Sequence, residues 1–231
     1  MLGASWLAAK VQAMELVPFG MLAAIGIVSL PVPFHDTDIL FQAQSPYQLV
    51  TVSRVEHEGR NTTAMMLDHL VEDWEYGDGS PVYDYFERGR LAYSILQDEP
   101  ERALVIGAGG GTHIRMLRED FPGIRIDAIE IDPVVVEAGK RYFSLAEDAD
   151  TRIFIEDGRR GLRGLDGGYD IVLIDVFKGQ SMPNHMVSRE FFGEVKSVMD
   201  DEGILVMNIA SDTDSEFYRG IHSTLETQFD D

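Results

Sequence analysis

This sequence predicts an α/β fold built on a doubly wound, mainly parallel sheet, on the strength of three observations. After Arg102, short apolar β-branched runs alternate with amphipathic helical patterns. A glycine-rich turn, Gly107-Ala108-Gly109-Gly110-Gly111, joins the first of these runs to a helix. The next three runs each lead into an acidic residue, where a parallel sheet presents its ligand-binding carboxyl edge.

The elements follow in chain order. Residues 1–35 form an apolar segment, and Leu16 to Phe34 is an uncharged run. It has about the length of a membrane span, but Pro18, Pro31 and Pro33 interrupt regular helix. A transmembrane anchor, a helix packed on the domain or on a partner, and a secretion signal all remain open; the last lacks a basic n-region. Residues 36–73 predict a small antiparallel β domain. "DILFQAQ", "YQLVTVSRVEH" and "NTTAMMLDH" are rich in β-branched and apolar residues, with a turn at Glu58–Asn61. "WEYGDGSP" (74–81) reads as a loop, and Ser80-Pro81 then opens the helical run "VYDYFERGRLAYSIL".

Residues 74–231 are expected to form the larger, Rossmann-like domain. Its strands are expected at Ala103–Ile106, Arg125–Ile131, Arg152–Glu156, Tyr169–Val176 and Gly203–Ile209, and its helices at 112–120, 133–147, 158–165, 188–200 and 214–228. The chain stops just after the last helix, which would leave Gly203–Ile209 at an open edge.

Composition narrows the function classes. Forty acidic against 19 basic residues give a formal net charge of −21. That field repels phosphate backbones and excludes a nucleic-acid partner, while it suits a cationic substrate. The acid-rich, lysine-poor balance also resembles that of proteins from salt-loving organisms, where the charge serves solubility. The chain has no cysteine, which excludes disulfides, thiolate zinc sites and thiol catalysis.

The chemistry gathers at the strand tips. Gly107, Gly109, Gly110 and Gly111 allow a tight turn and bare backbone against a ligand. A dinucleotide fingerprint would place its third glycine at position 112, which is Thr112. Glu130 ends the second strand, where an acid can accept hydrogen bonds from ribose hydroxyls. Asp157, followed by Gly158, ends the third; taken alone it is a helix cap, and with the other tips it can accept from an adenine amine. Together these tips point to bound adenosine. Asp175 interrupts the fourth apolar run and faces the reactive end of such a ligand as a candidate general base. The loop after it, "FKGQSMPNH", is long enough to close over a substrate.

"SPYQLVTV", "LVIGAGGGTHIRML", "IEIDPVVVEAGKRYF", "EDGRRGL" and "YDIVLIDVFKGQSMPNHMVSREFF" occur in this order between about residues 37 and 210. Together they resemble the spermidine synthase (polyamine aminopropyltransferase) family, most closely its divergent branch fused to membrane segments. The resemblance implies a small β domain ahead of an S-adenosylmethionine-methyltransferase-type sheet. It also implies aminopropyl transfer from decarboxylated S-adenosylmethionine to a small-molecule amine, with no metal. By the same resemblance Gln48 contacts the nucleoside, Glu130 the ribose, and Asp157 with Gly158 the adenine. Pro183 lies near the adenine, Asp175 is the base, and Tyr83 with Asp84 lies on the amine side. A cytoplasmic catalytic domain, membrane anchoring through residues 16–34 and a homodimer belong to the same expectation.

The departures are as specific as the matches. Gly110 stands where the family carries an aspartate that binds the tail amine, and Lys178 stands where it carries a second aspartate. The "YHE" element reads Tyr83-Asp84-Tyr85, and the two strands expected after the last helix are missing, as in a C-terminally incomplete chain. On paper the adenosine half is intact and the amine half is not. That keeps two rivals open: a methyltransferase using intact S-adenosylmethionine, and a catalytically idle nucleoside-binding, membrane-associated domain. A nicotinamide dehydrogenase is disfavoured by Thr112.

Overall fold

A computed structural model describes residues 22–25 (backbone only), 38–177 and 182–229. Within 16–34, only Leu22–Ile25 is therefore described, and Lys178 lies outside the described residues. Among the described residues no helix is long and apolar enough to cross a membrane.

The glycine-to-acid alternation after Arg102 folds into strands β6 (Arg102–Ile106), β7 (Arg125–Glu130), β8 (Thr151–Ile155), β9 (Tyr169–Ile174) and β10 (Met199–Asn208). All pair in parallel, in the order β10-β9-β6-β7-β8. The order reverses between β6 and β9, so the tips of these two strands flank the crevice where such sheets bind ligands. β10 is not an open edge: β1 (Leu22–Ile25) pairs with it in parallel, Leu22 opposite Leu205.

Alternate residues of each strand supply two cores. Leu104, Ile106, Val172 and Ile174 pack with Leu162, Phe191, Phe192, Ile221 and Leu225 of α4 (Gly158–Leu162), α5 (Arg189–Val198) and α6 (Glu216–Phe229). On the other face Val105, Ile171 and Leu173 pack with Tyr93, Ile114, Leu117 and Val136 of α1 (Tyr85–Tyr93), α2 (Thr112–Asp120) and α3 (Pro133–Tyr142). Burial on both faces explains why these strands read as continuous apolar runs.

The small antiparallel sheet has four strands: β2 (Asp38–Gln44), β3 (Leu49–His57), β4 (Arg60–Leu67) and β5 (Leu70–Tyr76), in sequence order. Val50, Val52 and Met65 dock it onto Val135 and Ala138 of α3. β5 is a correction to the sequence reading, because residues 74–76 of the expected loop 74–81 are strand. Acids disguised it: Asp73 and Glu75 lie among its buried residues, where apolar ones are the usual occupants. They are buried because they have partners on α2 and the glycine loop.

Candidate active site

The glycine loop is shaped by positive φ. Gly107, Gly109 and Gly111 have φ of 92°, 50° and 93°. At Gly107 a Cβ would lie 1.9 Å from the Asp175 carbonyl oxygen, so β6 and β9 meet there at backbone contact. Gly111 plays a different part from the one expected. It is the left-handed N-cap of α2, its missing Cβ makes room for Leu145, and it does not line the cleft.

The loop opens onto a cleft of about 910 Å³, counting its mouth. Gln48, Gly107, Gly109, Glu130, Asp157, Gly158, Asp175 and Pro183 all line it. Glu130 is buried; one oxygen accepts the Ala108 and Gly109 N–H groups at 3.1 and 3.4 Å, and the other accepts that of Asp132 at 3.0 Å. Burial raises its pKa, against the opposing pull of those three N–H groups. Asp157 both caps α4 through Arg160 N–H (3.0 Å) and meets His185 Nε2 at 3.0 Å. Gln48 reaches Asp132 at 3.4 Å, beside the 2.6 Å hydrogen bond from Ser45, tying the small sheet to the turn after β7.

Asp175 is held from three sides. Asn208 Nδ2 donates to Oδ1 at 2.9 Å, the Tyr85 hydroxyl donates to Oδ2 at 3.3 Å, and His113 Nε2 lies 3.1 Å from Oδ2. Burial first, and then the Asp175, Asp73 and Glu72 carboxylates, push the Tyr85 hydroxyl well above its usual pKa, so it stays a donor. Tyr85 lines the cleft and Tyr83 does not. α1 begins at Tyr85 and turns its first residues into the cleft, whereas Tyr83 packs edge-on against Trp74 and does not line it. Asp84 is exposed and paired with Arg88 one turn on, so it does not line the cleft either. Y85F is expected to lower kcat by roughly 10-fold or more with little change in KM, the effect of losing one hydrogen bond to a charged group; steady-state kinetics checks this.

β5 adds two acids the sequence reading missed. Glu72 lines the cleft with its carboxylate unpaired by any described side chain. Burial, then the Asp175, Asp73 and Glu130 charges, raise its pKa to about 8. The neutral form is therefore favoured by folding, and its contribution to stability is present below about pH 4.5 and lost as pH rises toward 8. E72Q is accordingly expected to gain Tm relative to the parent as pH rises from 5 to 8, which paired calorimetric scans would read. Asp73, buried, accepts the Gly110 N–H on Oδ2 and the Thr112 hydroxyl at 2.7 Å on Oδ1. The same hydroxyl lies 2.8 Å from Glu75, which Arg115 also meets at 3.1 Å.

Known proteins share this architecture and sequence. Residues 92–218, over half the chain, match the model for the spermine/spermidine synthase domain. The polyamine aminopropyltransferase of Vibrio vulnificus is 33% identical over 222 residues, 90% of this chain and 73% of that protein. The human eEF1A lysine and N-terminal methyltransferase is 32% identical over 127 residues, 50% of this chain but 18% of that protein. A probable spermidine synthase from Corynebacterium glutamicum superposes with a TM-score of 0.70 at 20% identity, covering 82% of this chain and 69% of that one, a likeness of fold. With a glycine loop, Glu130, Asp157 and Asp175 gathered around one cleft and a domain match across most of the parallel sheet, the chain belongs to the spermine/spermidine synthase family.

Proposed function

We infer that this chain is a transferase that moves an aminopropyl group from decarboxylated S-adenosylmethionine to a primary amine, with Asp175 as general base. The observation that carries this reading is the charge of the cleft. Glu72, Asp73, Glu130, Asp157 and Asp175 line it, and no Lys or Arg does so among the described residues. Even with Glu72 protonated near neutral pH, the remaining carboxylates attract an ammonium and repel a carboxylate.

Decarboxylated S-adenosylmethionine, when bound, supplies a carbon activated by positive sulfur, whose C–S bond breaks as the amine nitrogen attacks. The protein's part is to place and deprotonate the amine. An alkylamine is protonated at neutral pH and has no lone pair to offer. Asp175 orients the ammonium and accepts its proton, which frees the lone pair that then forms the N–C bond. Asn208, Tyr85 and His113 hold the carboxylate in one orientation, which lowers the entropy lost in reaching attack geometry. Glu130 and the bare backbone of Gly107 and Gly109 fit the nucleoside half, with Asp157, Gly158 and Pro183 at its adenine end.

The methyltransferase reading draws on Gly110 and on the human relative, but the cleft offers the carboxylate of intact S-adenosylmethionine no cationic partner among the described residues. A product assay decides between the two. Purified protein is given either cofactor with a panel of mono- and diamines; methylthioadenosine formed only from the decarboxylated form is expected, and adenosylhomocysteine would overturn the reading.

A further inference from the structure

We propose that Asp73, carried on β5 of the small sheet, receives the ammonium at the end of the cofactor's tail and so selects the decarboxylated cofactor, in place of a charge on the glycine loop. This rests on the aminopropyltransferase reading and adds to it the residue that sets cofactor choice.

The glycine loop itself points to Asp73. Gly107, Gly109 and Gly111 all need a positive φ, and Gly110 does not. Its backbone would accept any L-residue; a side chain there would be crowded by the atoms around it. A Cβ on Gly110 would lie 3.0 Å from the Asp73 carboxyl carbon and 3.0 Å from the Phe143 ring, and one on Gly109 would lie 2.4 Å from Asp73 Oδ2. The Asp73 carboxylate thus occupies the volume into which side chains at 109 and 110 would project.

Asp73 is also fixed there. The Gly110 N–H and the Thr112 hydroxyl each donate to one of its oxygens. A carboxylate has about four acceptor positions, so two remain for a ligand. Its charged neighbour in the cleft is Asp175, and no Lys or Arg is among the described lining residues. A tail ending in an ammonium alone gains from this wall; a tail that also carries a carboxylate meets it with like charge.

Calorimetric titration with three ligands tests the assignment: methylthioadenosine (no tail), decarboxylated S-adenosylmethionine and intact S-adenosylmethionine. The parent is expected to prefer the decarboxylated form to the intact one. D73N is expected to weaken binding of the decarboxylated form by roughly 10- to 100-fold, the loss of one charge-assisted contact, while methylthioadenosine binds within about two-fold of the parent. The double variant D73G/G110D, which returns the carboxylate to the loop, is expected to recover most of the loss. Equal weakening of all three ligands by D73N would reduce Asp73 to a support of the loop and overturn the proposal, as would unchanged affinity for the decarboxylated form. Failure of the underlying reading looks different: the parent itself would prefer the intact cofactor or form no methylthioadenosine.

Discussion

D175N is expected to lower kcat for aminopropyl transfer between about 10²- and 10⁴-fold, the usual range for removing a positioned general base. The amide is nearly isosteric, so Asn208, Tyr85 and His113 still find a planar group between them, but it cannot take up a proton at neutral pH. On the proposed reading, Asp175 sits at the reacting end of the cleft, whereas Glu130 and Asp157 line its nucleoside end. Affinity for methylthioadenosine should therefore stay within a few-fold of the parent. Single-turnover kinetics with saturating cofactor separates chemistry from binding. A variant that keeps its kcat would remove Asp175 from the reaction and leave the attacking amine without a base.

The second large effect is structural. G107A is expected to cost about 4 kcal/mol of stability, at the upper end for point substitutions, and to depress Tm by about 10 °C. Two costs coincide at this position: φ is 92°, and the new Cβ would lie 1.9 Å from the Asp175 carbonyl oxygen and 2.7 Å from its carbonyl carbon. Relief requires β6 and β9 to separate at their tips, and this displaces the glycine loop and the base together. G110A is the control, since its φ is ordinary and its neighbours are side chains at 3.0 Å. Differential scanning calorimetry of the two alanine variants would expose an error: equal melting temperatures would mean that the approach of β9 does not constrain the loop.

The parallel sheet was legible because hydrophobic burial on both faces writes itself plainly as apolar runs. α2 begins and ends at Thr112 and Asp120, where the pattern of residues 112–120 puts it. The strand tips were legible for the same reason: a lone Asp175 or Glu130 after an apolar run stands out. Asn208 carries that signal too, as the polar end of "ILVMN", but an amide is not a titratable group and did not attract notice. β5 was hidden by a conflict between levels. Its buried positions hold Asp73 and Glu75, whose burial makes sense only once Thr112, Arg115 and the Gly110 N–H are in place across the sheet boundary. Partners some forty residues away leave no local trace in the pattern. Tyr85 rather than Tyr83 lines the cleft because helix phase decides which tyrosine faces inward. Phase is set by where α1 starts, at Tyr85, and Asp84 before it makes no side-chain cap to announce the start.

β5 also bears on how the recognition of one small molecule is divided along the chain. On the proposed reading, the nucleoside end is met by the tips of β7 and β8, within the parallel sheet. The opposite end is met by a strand of the other sheet, which is tied to the first through Asp73, Glu75 and the Ser45–Asp132 bond. Affinity and selectivity are thereby assigned to different segments, each free to drift under its own selection. If Asp73 receives the tail, an uncharged loop need not signal a decaying enzyme, because the charge has a second address thirty-seven residues upstream on the small sheet.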